Sequence, residues 1–328
     1  MLSRFVDLEG LSRDLVAVNF GFLDRSKMFL QRKKRVVDLD SGVTTPQPEG
    51  TDSASVEGLK ALGLDHLNHV QRMGLRDDTL AGFFNNQTGE LFTGFRLDTS
   101  DVLVDVGCGG GGPLGFAARH AGQIVALDID PVALEKCRKN LEPSSTSQIT
   151  FMTGSSEAIP LNDQIATKVM CLEVLEHVDD PHLAMSELFR IGQPGSLYLI
   201  SVPHENSEEI LKRIAPSAAY EKPHHIRVFG TEDFKQLISS SGLEIISHDT
   251  LGAFSTITVA LYWLTAGLVN ANGQTQLQTE FVFDNPAIQD WAKAWSFLLD
   301  LPNGEEVKDL FDSLIPKSQI IVAQKPMA

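Results

Sequence analysis

From residue 101 onward, short apolar runs alternate with segments of helical period. Val102-Leu-Val-Asp-Val106, Ile124-Val-Ala-Leu127, Ile149-Thr-Phe-Met152, Ala166 to Leu172, Ser196 to Val202, Leu243-Glu-Ile-Ile246 and Gln319 to Ala323 read as seven strands. Pro113 to Ala121, Pro131 to Leu141, His182 to Ile191 and Thr231 to Ser240 read as helices between them. Two of these carry Pro in their first turn, and the last has Thr231 as N-cap and Gly242 as its stop. Strands alternating with helices predict an α/β fold with a doubly wound sheet. The last two strands are separated by about 70 residues of helical character, with Trp291 and Trp295 one turn apart. A helical insertion at about 251–316 follows.

The first hundred residues differ. Residues 1–40 read as amphipathic helix, with Leu8, Leu11, Leu15 and Val18 near a 3.6 period. Residues 41–55 are rich in Pro, Gly, Ser and Thr and read as a linker. Residues 56–98 read as helices broken by Gly63, Gly74, Gly82, Gly89 and Gly94. The pattern divides the chain into a helical N-terminal extension or lid, 1–98, and a main domain, 99–328.

Composition removes several classes. Of the 328 residues, 42% are apolar and 21% charged, which excludes collagen-like and wholly disordered chains. The net charge of −16 is uneven: residues 1–50 carry +1 and residues 51–328 carry −17. An acidic body repels phosphate backbones, so nucleic acid is not an expected partner. The basic run Arg32-Lys33-Lys34-Arg35 reads as a solvated helix face, or as a docking point for an anionic membrane or a phosphorylated substrate. Three cysteines, Cys108, Cys137 and Cys171, form no CxxC and suggest neither a disulfide framework nor a zinc site. The opening ten residues lack an apolar h-region, so a cytoplasmic protein is expected. Thr250 to Thr279 contains no charge, and Leu251 to Val269 is long enough to span a bilayer. Its two Gly, three Thr and missing basic flank favour a buried or pocket-lining helix, with contact to lipid as the alternative.

Asp105-Val-Gly107-Cys-Gly109-Gly-Gly111-Gly112-Pro113 follows the first strand and opens a helix. Glycine permits a tight turn there, and the helix N-terminus offers free N–H groups to a polar ligand. Asp128 ends the second strand, where an acid accepts hydrogen bonds from both ribose hydroxyls. Together these point to an adenosine-containing ligand. Gly107-x-Gly109-x-x-Gly112 also fits a dinucleotide fingerprint, but Asp105 beside the loop suits a positively charged ligand end better than a pyrophosphate.

Val102-Leu-Val-Asp-Val-Gly-Cys-Gly-Gly-Gly111 resembles motif I of the class I S-adenosylmethionine-dependent methyltransferases. Leu127-Asp-Ile-Asp-Pro131, Gly154-Ser-Ser-Glu-Ala-Ile-Pro-Leu161, Glu173-Val-Leu-Glu-His-Val-Asp-Asp-Pro181 and Pro194 to Pro203 are similar to the blocks that follow it. The resemblance spans about 100–250 and the last strand, and is closest to the ubiquinone-biosynthesis O-methyltransferase-like group. It implies a Rossmann-like seven-stranded fold and S-adenosyl-L-methionine as cofactor, with S-adenosyl-L-homocysteine as product. It puts Asp105, Gly107, Gly109 and Gly111 around the methionine half, Asp128 on the ribose and Ile129 against the adenine. Ser155 stands where many members have Asp, and Ser156 would offer a backbone N–H to the ring. Leu172 and Glu173 would close the methionine end, and Cys108 joins the cofactor residues as a small buried filler.

Glu173, Glu176 and His177 form Glu-x-x-Glu-His, and helical spacing would let Glu173 and His177 converge. His177 suits general-base duty near neutral pH, and His225, in Pro223-His224-His225, is the second catalytic candidate. The block also resembles that of small-RNA 2′-O-methyltransferases, and of some ubiquinone-pathway ones, which use such a set with a later His to hold a divalent cation. The expectation here is catalysis without metal. The expected reaction is methyl transfer to a small-molecule acceptor, at a hydroxyl. The alternatives are a metal-dependent RNA 2′-O-methyltransferase and a catalytically silent cofactor-binding module. Tyr262, Trp263, Trp291 and Trp295 would wall the acceptor pocket, with the lid opposite. A homodimer through the helical additions and a lipid-like substrate complete the partners considered.

Overall fold

The computed structural model describes residues 67–327, apart from 142–146, 223 and 270–283. The amphipathic segment 1–40, the basic run, the 41–55 linker and the lid they would form lie outside the described residues.

The seven strands of the main sheet are β4 (Val102–Val106), β5 (Gln123–Asp128), β6 (Gln148–Thr153), β7 (Ala166–Leu172), β8 (Gly192–Pro203), β9 (Glu244–Leu251) and β10 (Ser318–Gln324). Three short strands, β1 (Phe83–Asn85), β2 (Glu90–Phe92) and β3 (Phe95–Arg96), precede them. The main sheet runs in the order β6-β5-β4-β7-β8-β10-β9. The pairs from β6 to β8 are parallel, and β10 lies antiparallel between β8 and β9. β4 therefore lies between β5 and β7, with the following chain departing to opposite sides. That reversal opens a crevice at the carboxyl ends of the strands.

Central strands buried on both faces need apolar residues on both, and β4 provides them. Val104, Val106, Val169, Cys171, Tyr198 and Ile200 face one core. Against it pack Ala184, Met185 and Leu188 of α4 (Pro181–Ile191) and Phe234 and Leu237 of α6 (Thr231–Ser240). Leu103, Ile124, Met170 and Leu199 face the other, against Phe116 of α2 (Leu114–Ala117) and Leu134 and Cys137 of α3 (Pro131–Leu141). Asp180 caps α4 by accepting from the His182 and Leu183 N–H groups, with Pro181 as first helical residue.

Three local expectations are corrected. Residues 83–96 are a small antiparallel sheet, β1-β2-β3, rather than helix. Gly89 and Gly94, at positive φ, make its turns, and Phe83, Phe92 and Phe95 pack under it. Gly230, not Thr231, is the N-cap of α6, and no side chain closes that end. The segment Glu173 to His177 is a turn rather than helix.

After β9 come α7 (Ala253–Val269), α8 (Pro286–Leu299) and α9 (Gly304–Leu314). They share a core with α1 (His69–Leu80), built on Val70, Met73, Phe254, Tyr262, Ile288 and Trp295. A polar centre crosses it: the Trp295 indole donates to Asp77 at 2.9 Å, and buried Lys308 pairs with Asp312 and stands 3.8 Å from Asp77. Among the described residues no helix is long and apolar enough to cross a membrane.

Candidate active site

The Gly-rich loop after β4 is folded back by its own backbone. Gly107 and Cys108 both donate N–H groups to Leu127 O, at 2.7 and 3.0 Å. Gly107 adopts φ +79°, and a Cβ there would stand 2.3 Å from Val174 Cγ2, so only glycine fits. Gly111 is equally constrained, since its Cβ would meet Cys137 Sγ of α3 at 2.7 Å. Asp128 ties the loop to β5: its carboxylate accepts from Gly109 N at 2.8 Å and Asp130 N at 2.9 Å.

This loop borders a cavity of about 560 Å³. Gly107, Gly109, Leu127, Asp128 and Ile129 line it, together with Gly154 to Glu157 and with Glu173, Val174, His177, Val178, Asp179 and Lys222. Of the expected cofactor residues, Gly107, Gly109, Asp128, Ile129, Ser155, Ser156 and Glu173 reach the cavity. Ile129 is 72% exposed, an apolar side chain held out over the opening. Asp105 and Cys108 are buried behind the loop, and Gly111 and Leu172 lie outside the lining. Burial, then Cys137 and Asp128, hold the Asp105 carboxyl well above the usual carboxylate range.

Among the described residues of 251–316 none lines this cavity. Trp295 is fully buried in the helical core with its N–H committed to Asp77, so it is no wall of this cavity. Trp291 stacks on Phe254 in the same core. An aromatic pair at i, i+4 reads alike in a pocket wall and in a helix–helix core, and here packing claims it.

Through His177 the lining joins a cluster of acids and imidazoles. Glu173 occupies the left-handed region, φ +54°, which costs a non-glycine residue about 1–3 kcal/mol. Its carboxylate is held at both oxygens, by Ser201 Oγ at 2.8 Å and by Lys317 Nζ at 3.3 Å. Glu176 is different. It is 0% exposed and neither oxygen has a hydrogen-bond partner. His177 Nε2 lies 3.7 Å from its Oε1, and ligand atoms of Glu176, His177 and His225 all fall within 4.8 Å of one another. The His177 and His225 rings meet edge to face, 5.1 Å between centroids. The expected convergence is therefore carried by Glu176, while Glu173 is engaged with Ser201 and Lys317.

Burial, then the charge of Glu173, pushes the Glu176 carboxyl well up. Burial pulls the Lys317 ammonium down, but Glu173, Glu208 and Glu176 outweigh it and its pKa stands above the ordinary value. Lys317, Glu208 and Ser201 are participants that sequence reasoning missed. Lys317 follows the insertion and reaches Glu173 across 144 positions, and Glu208 reaches His225 across 17. No local motif marks either. His204 caps α5 (Glu205–Leu211) through Nδ1, which accepts from Asn206 N, and so serves the scaffold.

The geometry meets an independent likeness here. A family model described as a methyltransferase domain matches residues 104–200. Over those residues the chain is similar to methyltransferase domains, including those of S-adenosylmethionine-dependent enzymes. The match runs from β4 into β8 and takes in the Gly-rich loop, Asp128 and the Glu173–His177 turn. The mitochondrial ubiquinone biosynthesis O-methyltransferase of Schizosaccharomyces pombe is 29% identical over 158 residues, 47% of this chain and 56% of that one. The ubiquinone biosynthesis O-methyltransferase of Vibrio cholerae is 30% identical over 151 residues, 45% and 60%. The chain thus spans less than two thirds of the length of these relatives. Among solved structures, the [4+2]-cyclase SpnF aligns with TM-score 0.49 and 16% identity, over 79% of this chain and 93% of that one.

Proposed function

We propose that the protein transfers the methyl group of S-adenosyl-L-methionine to a hydroxyl of a small-molecule acceptor. The observation that carries this reading is one cavity lined by the glycine loop and Asp128 and joined, through His177, to an acid–imidazole cluster. In this reading Gly107 and Gly109 lie along the methionine half, with Asp105, Cys108, Gly111 and Leu172 supporting it from behind. Asp128 takes the ribose hydroxyls, and Ile129, Ser155 and Ser156 take the adenine. Glu173 faces the ammonium end. In-line displacement at a sulfonium draws most of its rate from alignment, and a hydroxyl gains nucleophilicity by losing its proton as it attacks. His177 or His225 accepts that proton. The O-methyltransferase relatives support the choice of oxygen, and the acidic body supports a small acceptor over RNA. The test is methyl transfer from labelled cofactor to parallel panels of phenols, alcohols, amines and RNA. Turnover confined to amines or RNA overturns the reading, and so does the absence of cofactor binding.

A second reading has its own observation, the buried Glu176 with two unpartnered oxygens beside two imidazoles. A buried carboxylate without partners is costly, and a divalent cation is one remedy. Glu176, His177 and His225 would hold the ion, which would acidify a coordinated acceptor hydroxyl. Chelation decides between the two. Full activity in excess EDTA supports proton transfer to imidazole alone, whereas loss of activity restored by Mg²⁺ or Mn²⁺ supports the cation.

A further inference from the structure

One imidazole of the cluster, His225, is tied to a buried carboxylate outside it. His225 Nδ1 lies 3.1 Å from Glu208 Oε2, and the Glu208 side chain is 2% exposed. Glu208 is fixed at the start of α5. Its N–H bonds His204 O, and the neighbouring Ser207 hydroxyl donates to His204 O and Lys317 O. A carboxylate can only accept, so the contact requires a proton on Nδ1 of His225. In the neutral ring, Nε2 then keeps the lone pair.

We propose that Glu208 is a positioning residue that fixes His225 as the Nδ1-protonated tautomer and so reserves Nε2 for the chemistry of the site. The inference rests on the hydroxyl-methylation reading for what Nε2 does, but not for the tautomer itself. It applies equally if Nε2 takes the acceptor's proton or holds an ion, since both need the same lone pair.

Two variants separate this role from simple packing. Glu208→Gln retains an oxygen that accepts from Nδ1–H, whereas Glu208→Leu retains the bulk and loses the acceptor. The tautomer is read by long-range ¹⁵N–¹H correlation of the His225 ring at pH 8, with S-adenosyl-L-homocysteine bound and no acceptor. His225→Asn assigns the signals. The wild type and Glu208→Gln are expected to show Nδ1–H, and Glu208→Leu to shift toward Nε2–H. In turnover of the phenol or alcohol found active in the panel, Glu208→Leu should lower kcat about 10–100-fold, the range for carboxylates that orient a functional imidazole. Glu208→Gln should stay within about threefold of wild type, with cofactor Kd unchanged in both. A wild-type ring protonated on Nε2 overturns the proposal, as does a Glu208→Leu variant whose tautomer switches while kcat holds. If the ring is Nδ1-protonated but no acceptor is methylated, the functional reading fails and the Glu208 assignment stands.

Discussion

Both oxygens of Asp128 accept backbone N–H groups, from Gly109 at 2.8 Å and Asp130 at 2.9 Å. The same carboxylate faces the cavity. One side chain thus shapes the loop and presents an acceptor to whatever occupies the space beside it. Replacing Asp128 by Ala removes a charged acceptor and leaves the Gly109 N–H without its partner. Cofactor affinity should fall by at least about 2 kcal/mol, roughly thirtyfold in Kd by calorimetry. Undiminished affinity would contradict the ribose role. Gly107 is the second residue where a single atom decides. Gly107→Ala forces φ +79° on a residue with a Cβ and drives that Cβ to 2.3 Å from Val174 Cγ2. The left-handed conformation alone costs about 1–2 kcal/mol. The variant should melt several degrees lower, and Val174→Ala should restore part of the loss by relieving the contact. If Val174→Ala restores nothing, backbone strain accounts for the whole effect. Both residues were legible in the sequence, because turn glycines and a strand-end acid announce themselves locally. Glu208 and Lys317 were not, because what makes each matter is a partner brought near by topology.

At the scale of elements, the strands that build the site read cleanly, since a strand buried on both faces must be a continuous apolar run. β4 and β7 have the bounds their hydrophobic runs predict. The β1-β2-β3 sheet did not read as strand, because segments of two or three residues are too short to display alternation. The loop from Gly154 to Asp163, whose first residues line the cavity, depends on a helix for its shape. Arg190 of α4 donates to Leu161 O, Asp163 and Ile159 O, at 2.7–2.9 Å. Glu187, paired with Arg190 at 2.7 Å, accepts from Ile159 N at 2.8 Å. One guanidinium and one carboxylate thus fasten the loop at both backbone polarities. A lysine has no fork to make these contacts together. Arg190→Leu and Arg190→Lys should both accelerate amide exchange across 155–163, measured by hydrogen exchange. Cofactor affinity should weaken several-fold, because Ser155, Ser156 and Glu157 line the cavity. If exchange rises in the loop while affinity holds, the loop contributes little to the cofactor site.

Across the whole described body, α1 and the insertion helices share one core, and its polar centre is short of positive charge. Asp77, Asp312 and the neighbouring Asp78 gather around the single ammonium of Lys308. Burial pushes the Asp77 carboxyl up to about 6, with Lys308 working against the rise and Asp312 adding to it. Asp78 is pushed to about 7, again by burial first and then by Asp77. The sign follows from linkage. An acid whose folded pKa exceeds its unfolded one resists ionising in the fold, so the fold is favoured while that acid is protonated. The Asp77 contribution is complete below the ordinary value of 3.8 and is lost as pH rises through about 6. At 1.36 kcal/mol per pKa unit, this shift corresponds to about 3 kcal/mol. Chain-wide repulsion at a net charge of −16 also grows with pH, so the bare pH profile would not isolate the cluster. Asp77→Asn isolates it. Asparagine reproduces the protonated acid, still accepts the Trp295 N–H through Oδ1, and leaves Lys308 paired with Asp312. Variant and wild type should have nearly equal melting temperatures at about pH 3. The divergence should build between about 3.8 and about 6, and at about pH 8 the variant should melt higher. The tryptophan fluorescence of the folded wild type should titrate near pH 6 and that of the variant should not, since Trp295 reports directly on its acceptor. Parallel melting curves across the range would mean that Asp77 remains ionised throughout, held by Lys308 as an ordinary buried ion pair.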